Sequence, residues 1–190
     1  MINEQLASIG SHYDGYWAWA LNKSRKERDT PRSGKWMLWP VGEEAIEVWQ
    51  VIVELTQQNI LGSQAKISCR EEEKEHVICV YTLDSDDLSD LQRIVNKLRE
   101  SIDPKHRLIY KENSMTCAGV YKGSGKIVSK WYVKPYETTI HQVKDYKSPQ
   151  EGETDEGSRE PYGKKPIRHQ TGIDYDLVEY TEQGTPIEDW

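Results

Sequence analysis

At 190 residues and 22.1 kDa, with 36% hydrophobic and 30% charged residues and a mean hydropathy of -0.82, the chain has material for one ordinary domain and a polar appendage. Residues 137–190 hold 13 acidic against 6 basic side chains and so carry the whole formal charge of -7; the balanced remainder excludes the electrostatic footprint of a duplex-DNA binder. Three widely spaced cysteines without a C-x-x-C pair exclude a disulfide framework and a zinc site, and no apolar run approaches the ~20 residues of a membrane span, so a cytoplasmic protein is expected.

Asn3–Ile9 is predicted to form a short helix stopped at Gly10, and Tyr13–Leu21 a strand with Trp17 and Trp19 on one face and Tyr16, Ala18 and Ala20 on the other. Asn22–Ser33 reads as a polar loop of mixed charge. In Gly34–Val41 the alternation sets Lys35, Met37 and Trp39 on one face and Trp36 and Leu38 on the other, and Pro40, lacking an N–H, ends the strand. Glu43–Asn59 then carries apolar residues at Ala45/Ile46, Trp49, Ile52/Val53 and Thr56, near a 3.6-residue period. Glu43 and Glu44 fall in its first turn, where carboxylates suit the helix dipole. Gly62 and Ser63 form a break, and Gln64–Ser68 reads as a strand.

His76–Leu83 is almost continuously apolar, the mark of a strand covered on both faces. Asp84–Asp87 offers caps for a second helix, whose stripe is Leu88, Leu91, Ile94/Val95, Leu98 and Ile102 and whose end is set by Pro104. Three strands are expected next, at Arg107–Lys111, Met115–Tyr121 and Val128–Lys134, the last two joined by a hairpin loop at Lys122–Lys126. Beyond Tyr136 periodicity fades. Ser148–Arg159 has the composition of a disordered linker, and Ile173–Tyr180 alternates weakly, as an edge strand would. The order predicts an α+β domain over residues 1–136, a curved and largely antiparallel sheet with two main helices on one face, followed by an acidic, partly disordered extension over residues 137–190.

Several of these pieces, in order, carry a resemblance: Gly34-Lys-Trp-Met-Leu38, the helix with Trp49, Ala65-Lys-Ile-Ser68, Val77–Thr82, Leu98-Arg99, and Leu108-Ile-Tyr-Lys111 with Thr116 and Tyr121. Together, over roughly residues 12–133, the set resembles the basophilic leukaemia expressed protein family, whose members also carry a phosphothreonine lyase label. The resemblance implies a fold similar to that of the cap-binding translation initiation factors, with tryptophans on the concave side of the sheet. In those factors two tryptophans sandwich a methylated guanine, and an acidic residue holds its edge.

Tryptophan supplies a wide π-face for stacking a base, and six of the seven precede the extension in a chain without phenylalanine. Trp36 and Trp49 read as core; Trp17, Trp19 and Trp39 lie on the face where a ligand would bind. Strand lysines suit phosphate as point charges, although exposed strand lysines also guard sheet edges. The candidate ligand residues are therefore Trp17, Trp19, Lys35, Trp39, Lys66, Lys111, Thr116 and Tyr121, with Lys111 and Tyr121 on neighbouring strands. No metal and no cofactor is expected. Arg93, Lys97 and Arg99 read as a solvated helix face, His76 and His106 as surface residues, and Cys79 and Cys117 as buried thiols.

The reading that follows is a module that binds a nucleotide, an RNA end or another phosphorylated ligand. An enzyme acting on phosphorylated substrates is the alternative, with Lys66 or Lys111 as base and His76 or His106 as acid. A third is a protein-interaction adaptor whose acidic extension meets a basic partner.

Overall fold

The alternation along Gly34–Leu38 becomes an interior strand of an eight-stranded antiparallel sheet. The computed structural model describes residues 2–22, 24, 30, 32–70, 75–121 and 125–149, with the backbone of 179–180 and 186–187. In chain order the elements are α1 (Ile2–Ile9), β1 (His12–Tyr13), β2 (Trp17–Leu21), β3 (Gly34–Leu38), α2 (Glu43–Gln57), β4 (Gln64–Ser68) and β5 (Ile78–Thr82). They continue with α3 (Leu88–Ser101), β6 (Leu108–Glu112), α4 (Asn113–Cys117), β7 (Trp131–Val133) and β8 (His141–Gln142). The sheet runs β1-β2-β4-β5-β3-β6-β7-β8, which is the expected α+β class.

One sheet face packs on the helices. Ala18, Ala20, Trp36, Leu38, Ala65, Ile67, Ile78, Val80, Leu108 and Tyr110 meet Trp49 and Ile52 of α2 and Leu91, Ile94 and Leu98 of α3 in a single core. Trp36 and Trp49 are fully buried, as their positions predicted. The Trp49 indole N–H donates to the Leu6 carbonyl at 3.1 Å, which pins α1 onto α2. α2 ends before Gly62: Asn59 takes the left-handed conformation (φ 63°), Asn59 N–H bonds to the Thr56 carbonyl and Ile60 N–H to that of Leu55. That pair of bonds satisfies the last carbonyls of the helix.

The stretch Met115–Tyr121 is not a strand. Residues 113–117 form one turn of helix, α4, with Met115 buried against Val120 and Val128. Glu112 leads into it, and its carboxylate accepts from Ser114 Oγ at 3.2 Å. Lys111 and Tyr121 therefore do not lie on neighbouring strands, and Cys117, expected inside, is exposed. Within the proposed hairpin loop Lys122, Gly123 and Ser124 lie outside the described residues.

The sheet also extends past Tyr136. β8 pairs with β7, setting Tyr132 opposite His141, and Val143 is buried. Of the weakly alternating Ile173–Tyr180, Glu179–Tyr180 pairs with Pro186–Ile187, and residues 173–178 lie outside the described residues.

Arg99, read as solvated, is half-buried and donates to the carbonyls of His106, Lys134 and Glu137 at 2.6, 3.0 and 2.7 Å. It ties α3 to the turns beside β6 and β7, a role that its helix-surface position did not reveal. His76 and His106 are buried rather than superficial. His76 Nδ1 donates to the Ser68 carbonyl at 2.9 Å, and His106 Nε2 stands 3.1 Å from Glu44 Oε1 of α2.

Candidate ligand site on the second sheet face

Because side chains alternate along each strand, the residues between those of the helix-packed core face the opposite side of the sheet. The register assembles that face in rows. Trp19 lies opposite Lys66, Lys66 opposite Cys79, Cys79 opposite Met37, and Met37 opposite Ile109. In the next row Tyr81 lies opposite Lys35, and Lys35 opposite Lys111. Met37, Trp39, Cys79, Tyr81 and Ile109 form its apolar floor, with Trp19 and Val77 at the margin.

Three lysines stand on this floor, all largely buried: Lys35 and Lys66 are 7% exposed and Lys111 is 2%. Lys35 and Lys66 meet ring faces and neutral oxygens. Lys66 Nζ sits 3.8 Å from the Trp17 ring centroid, 5.0 Å from that of Trp19 and 6.0 Å from that of Tyr81. Trp19 and Tyr81 stack with centroids 6.3 Å apart. Lys35 Nζ donates to Thr116 Oγ1 at 3.1 Å and to Asn113 Oδ1 at 3.5 Å, and lies 5.6 Å from the Tyr81 centroid. Lys111 Nζ lies 4.1 Å from the Tyr121 centroid. A π-face offers an ammonium partial negative potential, but far less than a carboxylate does.

Burial pushes the Lys66 ammonium down from its ordinary pKa, and the nearby Lys35 charge adds to that; Cys79 and Asp14 oppose it. Asp14 holds the margin of the site. Burial would raise its carboxyl, but the hydrogen bonds from Trp19 Nε1 and from the Tyr16 and Trp17 amides outweigh that and keep it below the usual range. Lys130 is a contrast. It pairs with Glu112 Oε1 at 2.7 Å and Asp86 Oδ1 at 2.6 Å, so its charge is neutralised within the fold.

The structure thus gathers Trp17, Trp19, Lys35, Trp39, Lys66 and Lys111 on one face. Thr116 and Tyr121 reach it from α4 and the chain beyond, rather than from a strand. Trp39 is 8% exposed and belongs to the floor. Tyr81, Asn113 and Asp14 were not anticipated. Tyr81 sits in a continuously apolar strand where alternation is silent, and Asn113 follows an unforeseen turn into helix. The Asp14-Gly15 turn signal before Trp17 was the one available clue to Asp14. His106 is held against α2, and burial lowers its pKa more than Glu44 raises it. Among the described residues, no cluster of metal-ligating side chains forms, and no helix is long and apolar enough to cross a membrane.

Residues 25–116 match the family model described as Basophilic leukemia-expressed protein Bles03. No curated protein matches the chain. Among solved structures, the complex of Ascaris suum eIF4E-3 with an m2,2,7G cap is similar in fold. The two share 12% sequence identity and a TM-score of 0.45 over 65% of this chain and 72% of that one.

Proposed function

We propose that this chain, whose residues 25–116 match the Bles03 family model, holds a nucleotide or RNA end against the second face of its sheet. The observation that carries the reading is the meeting of two buried lysines, Lys35 and Lys66, with ring faces and neutral oxygens, beside a third buried lysine, Lys111. Burying an ammonium is costly unless a strong acceptor meets it, and Lys35 and Lys111 repel each other across one rung of the ladder. A phosphate chain answers both costs. Charge-assisted hydrogen bonds are stronger than the cation–π contacts they would replace, so phosphate oxygens draw Lys111 from beneath Tyr121 and Lys66 from the Trp17 ring. The same exchange frees indole surface at Trp17 and Trp19, the half-buried rim of the site, for a base to stack on. Phosphate and base are thereby read together, and neither fragment alone completes the exchange.

Intrinsic tryptophan fluorescence tests this in titrations with GTP, a cap analogue, a short 5′-triphosphate RNA, a phosphothreonine peptide and pyrophosphate. A saturable change with one nucleotide class is expected, larger than with pyrophosphate. The double substitution Lys35→Ala/Lys111→Ala is expected to weaken that binding about 100-fold, the effect of two charge-assisted hydrogen bonds. Its circular dichroism is expected to stay unchanged, since removing two adjacent like charges relieves repulsion. Silence across the nucleotide panel, or full affinity in the double variant, overturns the reading; a response to the phosphopeptide alone moves the ligand to the other chemistry.

A further inference from the structure

The chain after β8 is held down by groups that it shares with β6. Val143 N–H donates to the Lys130 carbonyl at 3.0 Å. Tyr146 OH and Ser148 Oγ then donate to the same carboxylate oxygen, Glu112 Oε2, at 2.9 and 2.5 Å. The Tyr146 ring packs on the small cluster of Met115, Val120 and Val128, so this strap clasps α4 from outside. The other oxygen of Glu112 accepts from Ser85 Oγ and Lys130 Nζ, both at 2.7 Å. Ser148 is exposed, and Pro149 follows it. An accessible hydroxyl in a Ser-Pro step therefore serves as the last donor to a buried carboxylate.

We propose that Ser148 is a modification site for a proline-directed protein kinase, and that phosphorylation there opens the strap over residues 143–148. The γ-phosphoryl group of a nucleoside triphosphate passes to Ser148 Oγ. The Oγ–P bond forms, the bond to the departing nucleoside diphosphate breaks, and the hydroxyl proton leaves to the kinase. What was an O–H donor to Glu112 becomes a dianion beside it. Placed against a carboxylate, a phosphate repels and loses hydration instead of docking. Lys130 offers no ready counter-charge, being engaged by Glu112 and Asp86. The strap's remaining anchor on that oxygen, Tyr146, then has to hold alone. Release also reaches the lysine row: Glu112 leads into α4, whose Asn113 and Thr116 hold Lys35. The inference stands on the strap alone and is independent of which ligand the sheet face takes.

Incubating the full chain with MgATP and a proline-directed kinase, then mapping phosphate by tandem mass spectrometry, gives the first test. Mapping is needed because Thr30 and Thr185 also precede proline. Hydrogen exchange gives the second, on the full chain carrying phosphoserine at 148 introduced by an expanded genetic code. Amides in residues 141–148 are expected to exchange about ten-fold faster, with α3 unchanged. Ser148→Ala loses one donor but brings no charge beside Glu112, so its exchange over residues 141–148 is expected to rise far less than in the phosphoserine chain and not to change further on treatment with the kinase. No phosphate on Ser148 when a control Ser-Pro peptide is labelled overturns the site. Unchanged exchange in the phosphoserine chain overturns the release.

Discussion

Glu112→Ala is expected to destabilise the domain by about 3–5 kcal/mol, the scale for breaking a buried pair by removing one partner. The Glu112 side chain is 4% exposed and serves five donors: Lys130, Ser85, Ser114, Tyr146 and Ser148. Its loss leaves the Lys130 ammonium with only the more exposed Asp86 carboxylate, leaves the strap without its acceptor and removes the residue that introduces α4. A pH signature accompanies the effect. Burial alone would raise this carboxyl, yet Lys130, Ser148, Ser85 and Tyr146 outweigh it and bring it from 4.5 to about 2. The folded pKa is depressed, so the contribution is fully present above the unfolded value and is lost as pH falls from about 4.5 towards 2. Over that window the linkage amounts to about 3 kcal/mol. Urea denaturation at a series of pH values checks both points. The variant should be weaker at pH 7 and flatter than wild type in acid; parallel pH profiles for the two proteins would contradict this account of Glu112.

Gly62→Ala is expected to cost about 3 kcal/mol or more, the upper range for forcing atoms into a packed interior. A β-carbon there would come 1.7 Å from the carbonyl oxygen of Tyr81 and 3.0 Å from its carbonyl carbon. Both atoms belong to backbone in β5, so no side chain can swing aside. Either β5 or the entry to β4 must move, and Leu61, fully buried next door, moves with it. A fall in Tm of about 10 °C is expected by thermal denaturation, given the size of the domain. A Tm within about 1 °C of wild type would show that the strands yield more easily than this contact allows. Because Tyr81 stacks on Trp19 and faces Lys35, the same shift should also disturb the lysine row.

What the sequence made legible followed from regular repetition. α2 and α3 announced themselves through a 3.6-residue stripe, and β2 to β6 through alternation or an unbroken apolar run. The two faces of β3 were readable from its order of residues, and with them the company of Lys35 and Trp39. Features decided by distant partners left no local trace. α4 has β-like residues at Met115 and Thr116, and its helical turn is fixed by Glu112 and by packing on Val120 and Val128. Glu112 itself looked like the frayed end of a strand, since its partners come from residues 85, 130, 146 and 148. β8 is two residues long, too short for any period to register. Arg99 and the two histidines sat in polar surroundings in sequence, and only the fold turns those surroundings into carbonyls and a carboxylate for them to meet.

The lysine row has a consequence for the medium in which the domain works. Dissolved salt acts on this molecule with two signs. Counter-ions weaken exposed pairs such as Arg32–Asp84, which contribute at most about 1 kcal/mol each. They bring little relief to Lys35 and Lys111, because a sheltered repulsion is poorly screened from a distance. Under the proposed function an oxyanion that enters the row relieves it, and mass action then favours the folded chain by an amount that grows with the logarithm of its concentration over the dissociation constant. On that reading the identity of the dissolved anion, and not ionic strength alone, shifts the stability of the domain, and the fold would report the phosphate species around it.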